Sequence, residues 1–219
     1  MKWDWDFAAE IMPELLSGLW VTVRVTLIGY SVAAVGGLLF ALLRRSRFKI
    51  IRWPTALLIE FVRSTPLLVQ LFFLFFVLPD FGILLSPLQA GIIGLGLHYS
   101  AYTSEAYRAG IESVDKTQWE GAVALNMSAT TTWLRVILPQ AIPTVLPALG
   151  NYLISMFKDA PLLSVITVVG VLRSAQTIAS HTFRFVEPLT MVGLLFLVVS
   201  IPSALFVRLL ERHYGFQRA

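Results

Sequence analysis

The stretch ESVDKTQWEGAVALNMSATTTWLRVILP, Glu112 to Pro139, is the one long polar, charge-bearing interval between two strongly apolar blocks, and Pro143 and Pro147 follow it. On either side the chain is too apolar for a water-soluble domain. Of its 219 residues 57% are hydrophobic and 14% charged, against about 25% charged in soluble domains. The fold class is therefore an all-α polytopic membrane protein, and the polar interval is where it meets something outside the membrane.

Outward from that interval, apolar runs of roughly 20 residues predict five transmembrane helices, at 19–43, 56–78, 88–107, 141–157 and 188–210, in a single domain over 1–219. The apolar stretch Pro161 to Leu172 is too short to span and reads as a re-entrant or interfacial element. Met1 to Glu10 lacks an apolar core, so it is no signal peptide and the first helix targets the membrane itself. Cysteine is absent and the three histidines have no ligand spacing, so neither a metal nor a redox site is expected. No G-x-x-x-x-G-K-[ST] run is present, so the chain has no phosphate cradle, binds no cofactor of its own and is not an enzyme.

Basic residues orient the chain. Arg44, Arg45, Arg47, Lys49 and Arg52 follow the first helix, Lys116 and Arg135 lie in the polar interval, and Arg208, Arg212 and Arg218 are near the end. The three groups alternate onto one side, which the positive-inside rule makes cytoplasmic. The N-terminus with Lys2 is then outside, with Arg173, Arg184 and the loop Pro79 to Pro87, and the C-terminus is inside. This bias accounts for the net charge of +4, so nucleic acid is not an expected partner.

Inside the cytoplasmic loop, Thr117 and Glu120 have the spacing of a capping box, which predicts a short helix from near Gln118. Asn126 suits a left-handed turn at its end. Ser128 then caps a second helix through Thr132, Trp133 and Ile137, and Pro139 opens the next membrane segment.

The run Glu120-Gly121-Ala122-Val123-Ala124-Leu125-Asn126-Met127-Ser128, ending in Val136-Ile137-Leu138-Pro139-Gln140-Ala141, resembles the EAA loop of membrane subunits of binding-protein-dependent ABC importers. Arg63-Ser64-Thr65-Pro66-Leu67-Leu68-Val69-Gln70-Leu71, Phe157-Lys158-Asp159-Ala160-Pro161-Leu162-Leu163-Ser164 and Phe183-Arg184-Phe185-Val186-Glu187-Pro188 resemble motifs of the polar amino acid branch, in order. Within that branch the chain is similar to ectoine and hydroxyectoine permeases. Two departures stand out: the EAA pattern usually has Gly where this chain has Asn126, and the branch often has an acidic residue near Gly170.

The resemblance implies a type I ABC importer permease in the bacterial inner membrane, forming half of the path for a polar amino acid or compatible solute. Its implied partners are a cytoplasmic ABC ATPase dimer that binds ATP and Mg, a second permease subunit and a periplasmic or lipid-anchored binding protein, within membrane lipid. Glu120, Gly121, Ala122, Asn126, Met127, Trp133 and Pro139 are the implied coupling residues, with Trp119, Met127 and Trp133 as contact area. The alternatives are a secondary transporter or channel subunit and a non-transporting scaffold; the first usually carries inverted repeats, and the halves show no repetition.

Ionisable groups within spans are candidates for the path or gate, because burying a charge in hydrocarbon costs at least about 2.5 kcal/mol. Glu60 and Arg63, three apart, are placed to neutralise each other. His98, Tyr102 and Glu105 share one face of the third span, and Asn151, Ser155 and Lys158 one face of the fourth. At the subunit interface the Glu105 and Lys158 faces together have the charges a zwitterion needs. Arg24 reads as interfacial, and Phe72, Phe73, Phe75 and Phe76 as lipid-facing packing.

Overall fold

The computed structural model describes residues 3–213, with the His213 side chain and the Lys2 and Arg218 orientation signals outside the described part. The chain runs α1 (Trp5–Arg44), α2 (Lys49–Ser64), α3 (Leu67–Phe72), α4 (Pro87–Glu112), α5 (Lys116–Ala124), α6 (Ala129–Thr132), α7 (Leu138–Asp159), α8 (Val171–Thr182) and α9 (Val186–His213). Among the described residues, three helical stretches are long and apolar enough to cross a membrane alone: Trp5–Arg44, Ala129–Ile166 and Val186–Arg212. Joining the bent pair α2–α3 makes a fourth. The segment expected at 88–107 is the helix α4, but its Ser, Thr, His, Glu and Arg residues keep it off that tally.

α4 is the axis of the bundle, packed chiefly on α1 and also on α7, α2 and α3. Small residues permit this approach. A Cβ on Gly36 would lie 2.4 Å from Ser100 Oγ and one on Gly96 2.7 Å from Val32, so the α1 and α4 backbones nearly touch. Thr103 Oγ1 donates across the seam to Ala33 O at 2.8 Å. The α4 start is held by a reciprocal cap of Ser86 and Gln89.

The span expected at 56–78 is broken at Pro66, with α2 and the Leu67–Phe81 stretch meeting at 105°. Pro66 has no N–H to continue the helix and pushes Thr65 into an extended conformation (φ −107°, ψ 137°). The carbonyls released at the break are not left bare. Gln70 Nε2 donates to Val62 O at 2.8 Å and to Thr65 O at 3.2 Å, as buried backbone in a membrane requires. Beyond the break, Phe72, Phe73 and Phe76 are exposed while Phe75 packs on the core.

At about 1.5 Å per residue the 40 residues of α1 reach ~60 Å, twice the hydrocarbon thickness. The excess has a partner: Ala8, Ile11 and Leu15 bury against Val171, Ala175 and Ile178 of α8 and Met191, Val192 and Leu195 of α9. The stretch Pro161 to Leu172 folds back through the tight turn Ala160–Ile166 and a left-handed Thr167 (φ 65°). Val171 N–H then donates to Thr22 Oγ1 at 3.0 Å, fixing α8 to the side of α1.

Arg184, placed by the sequence on the outer side, is a latch between the two ends of the chain's outer part. It donates to Asp4 (3.1 Å) and to the buried Glu187 (2.8 Å) and stacks over Phe7 at 4.1 Å. Asp4 is held below the usual carboxylate range by the Phe7 N–H and then by Arg184. The unfolded chain therefore takes up this proton more readily than the folded one. The Asp4 contribution is complete above its unfolded value of about 3.9 and is lost as pH falls through the lower folded value. Hydrogen-exchange protection of residues 171–190, corrected for intrinsic rate, should hold down to about pH 5 and fall below about pH 4, and Arg184→Gln should weaken that step without removing it, because the Phe7 N–H still holds Asp4.

Candidate coupling loop and translocation face

The loop helix α5 starts two residues earlier than the spacing of Thr117 and Glu120 suggests. Its cap is Asp115, whose carboxylate accepts from the Thr117 N–H and Thr117 hydroxyl, both at 2.8 Å. Those bonds hold the Asp115 carboxyl below its usual range. Thr117 is therefore a donor to the cap, and Glu120 is an exposed residue of the second turn. At the other end Asn126 takes φ 52°, with Asn126 N–H bonded to Val123 O and Met127 N–H to Ala122 O. That pair of bonds is the Schellman closure, which a residue tolerant of the left-handed region completes. Ser128 then accepts from Thr131 N–H, and the chain passes through a π turn, Trp133–Ile137, directly into α7.

The two faces of this loop differ. Trp119 and Trp133, expected as outward contact area, meet edge to face at 5.2 Å and pack with Ile111, Val114, Ile137 and Ala141. Ala122 is likewise turned inward. Arg45, at the end of α1, lies 5.9 Å from the Trp119 ring and 5.5 Å from the Trp133 ring. The outer face carries Val123 and Leu125, 73% and 76% exposed, and Gly121, where an added Cβ would meet nothing. The result is an apolar tip on an anchored base. Arg45→Ala removes two cation–π contacts, each contributing about 0.5–1 kcal/mol. Amide exchange across α5 should rise about fivefold, with partial recovery in Arg45→Lys.

Among the intramembrane candidates, Glu60 and Arg63 do not pair. Glu60 points outward and accepts only a long bond from Ser64 (3.5 Å), while Arg63 turns inward to Glu105 (3.9 Å) and over Tyr102 (5.5 Å). Glu105 is a hub: Arg44 donates to it from α1 and Arg108 at 2.7 and 2.8 Å from its own helix. His98 Nδ1 contacts Gln70 Oε1 at 3.2 Å, and the His98, Tyr102 and Tyr152 rings form a chain at 5.1 and 5.9 Å. Tyr99 donates to Asp159 at 2.7 Å. The Glu105 and Lys158 faces, expected to come together at the subunit interface, lie apart within one chain. Lys158 lines a separate groove with Phe196, Leu197 and Ile201, Ser155 is exposed, and Asn151 reaches Glu211 of α9 at 3.5 Å.

Gln70, Tyr99, Tyr152 and Asp159 were not singled out by sequence. The first lies in the Pro66 motif and the last beside Lys158, so motif membership marked two of them. Tyr99 and Tyr152 carry no sequence signal, and the fold brings their rings to 6.5 Å.

The described residues form an all-helical bundle of membrane-spanning type with a capped loop at one end. The chain belongs to the family described as binding-protein-dependent transport system inner membrane component, whose model matches residues 33–215. It is thus a multi-pass inner-membrane permease subunit of an ABC importer and not an enzyme; ATP binding resides in the partner ATPase. It is 48% identical over 205 residues to "Probable amino-acid ABC transporter permease protein y4tG" of Sinorhizobium fredii, covering 94% of this chain and 89% of that one. The L-cystine transport system permease protein TcyB of Bacillus subtilis is 34% identical over 215 residues, covering 95% and 92%. The solved structure of an amino acid ABC transporter with histidines superposes with TM-score 0.92 at 36% identity, covering 97% of this chain and all of that one. The MetNI methionine transporter in inward-facing form shares the fold alone, with TM-score 0.71 at 17% identity over 92% and 98% of the two chains.

Proposed function

We propose that this chain forms half of an ATP-driven import path for a polar amino acid, with Val123 and Leu125 of the loop docking on the ATPase and α2, α3, α4 and α7 lining the path. The observation that carries the reading is the exposed apolar tip of a loop whose other face is clamped to α1 by Arg45. A lever of this kind transmits a rigid-body rotation, which alternating access needs. Glu120, Gly121, Asn126, Met127 and Pro139 belong to the same lever: Gly121 leaves room for close approach, Asn126 and Met127 close it, and Pro139 lies where the π turn passes into α7.

The amino acid assignment draws on the path face. Arg63 offers a carboxylate partner, while Asp159 and the Tyr102 and Tyr152 rings offer an ammonium partner. The related permeases named above carry amino-acid names, and none of those names mentions ectoine, so a compatible solute serves as the contrasting ligand. The reading includes five spans with α4 counted, the loop end in the cytoplasm beside Arg44, Arg45, Arg47, Lys49 and Arg52, and a two-fold pair of permease subunits enclosing the path.

The test is ATPase activity of the reconstituted complex with binding protein loaded by each polar amino acid in turn, and by ectoine. Stimulation by a polar amino acid is expected. Stimulation by ectoine alone would overturn the substrate class and leave the coupling reading intact. Val123→Asp with Leu125→Asp should abolish stimulation, and an unchanged response would overturn the docking role of the loop tip.

A further inference from the structure

At the end of the bundle that carries the coupling loop, Arg44, Arg45, Arg52 and Arg108 converge with Trp53 and Glu112 around a cleft of about 440 Å³. The carboxylates on these arginines are Glu105, held by Arg44 and Arg108, and Glu112, held by Arg108. Four guanidinium groups against two carboxylates leave an excess of two positive charges. Arg45 and Arg52 make no ion pair among the described residues. Guanidinium forks match the oxygens of a phosphate.

A second feature adjoins the cleft. From Trp53 at its edge, α2 carries a stripe of uncovered apolar side chains, Ile50, Trp53, Leu57 and Phe61, at 83%, 60%, 67% and 66% exposure. Their spacing puts them along one side of the helix. A soluble anion would use the arginines and leave this stripe idle. A lipid uses both.

We propose that this cleft binds the phosphate of an anionic phospholipid, whose acyl chains lie along Ile50, Trp53, Leu57 and Phe61 of α2. The phosphate would bridge the end of α1, α2 and α4. Because Arg45 also stacks on Trp119 and Trp133, the headgroup would stiffen the base of the coupling loop. The site rests on the orientation proposed above in one respect, that the lipid comes from the cytoplasmic leaflet.

The experiment places the whole transporter, with its partner subunits, in nanodiscs of phosphatidylcholine doped with brominated phosphatidylglycerol or brominated phosphatidylcholine. Quenching of the emission that Trp53→Phe removes is recorded. Half-quenching is expected at an about tenfold lower mole fraction of the brominated phosphatidylglycerol, equivalent to about 1.4 kcal/mol. Arg52→Gln should erase that preference and Arg52→Lys should keep part of it, since charge remains without the fork. Equal quenching by both lipids, or a preference untouched by Arg52→Gln, overturns the site. Displacement of phosphatidylglycerol by inorganic phosphate overturns the lipid in favour of a free anion. Nanodiscs expose both leaflets, so an inverted topology would leave this result unchanged while failing an accessibility test of the loop.

Discussion

Glu105→Ala is expected to destabilise the protein by about 3 kcal/mol, the lower end of the cost of removing one partner from a buried ion pair. Glu105 is the carboxylate shared by Arg44, Arg63 and Arg108, and its side chain is 16% exposed. Its removal leaves Arg44 and Arg63 without a carboxylate and Arg108 with Glu112 alone, all with reduced access to water. The arginines are themselves about one third exposed, which keeps the effect at the lower end. The same carboxylate ties α1 and α2 to α4, so unfolding in mixed detergent micelles should shift together with exchange in α2. Glu105→Gln keeps hydrogen-bonding capacity without the charge and should fall between. In a double-mutant cycle, Arg44→Ala should cost much less when Glu105 is already alanine. Additive costs would show that Glu105 does not organise this cluster.

Gly37→Ala is expected to cost a similar amount by a different route. A Cβ at this position lies 2.0 Å from Thr103 Oγ1, 2.9 Å from Ser100 O and 2.9 Å from Ser104 N. The last two are backbone atoms of α4, so no rotamer change relieves the overlap and the helices must separate. Overpacking of this kind costs about 1–3 kcal/mol, and the Thr103 to Ala33 hydrogen bond across the seam contributes about 0.6 kcal/mol more. Thermal unfolding in detergent and the yield of folded protein report it. Gly121→Ala is the control: its Cβ meets nothing, and alanine is the better helix former by about 1 kcal/mol. Equal behaviour of the two variants would contradict the close α1–α4 seam.

Legibility varied with the range of the physics involved. Asn126 was readable as a left-handed closure because its backbone demand is local. The start of α5 was misplaced because two local caps competed: Asp115 captures both the N–H and the hydroxyl of Thr117, which disarms Thr117 as a cap. Pro66 announced a break but not its 105° angle, nor that Gln70 would satisfy the carbonyls it freed. Glu60 and Arg63 share a spacing that permits pairing, yet Arg63 instead faces a carboxylate on another helix. Trp119 and Trp133 carry no mark in the sequence of which way they face; they turn in to the cluster of Ile111, Val114, Ile137 and Ala141, where Arg45, more than 70 residues away, also meets them.

By itself the sequence determined the membrane class, the all-helical character, the position of the loop and its left-handed turn. All four follow from composition, periodicity and single-residue conformational preference, which act within a few residues. Only the tertiary structure decided which charges meet, which face of the loop stays open, and that Glu105 rather than Glu60 receives Arg63. Those outcomes depend on how closely α1 and α4 approach and at what angle α2 turns. These are properties of packed helices, and no window of sequence contains them.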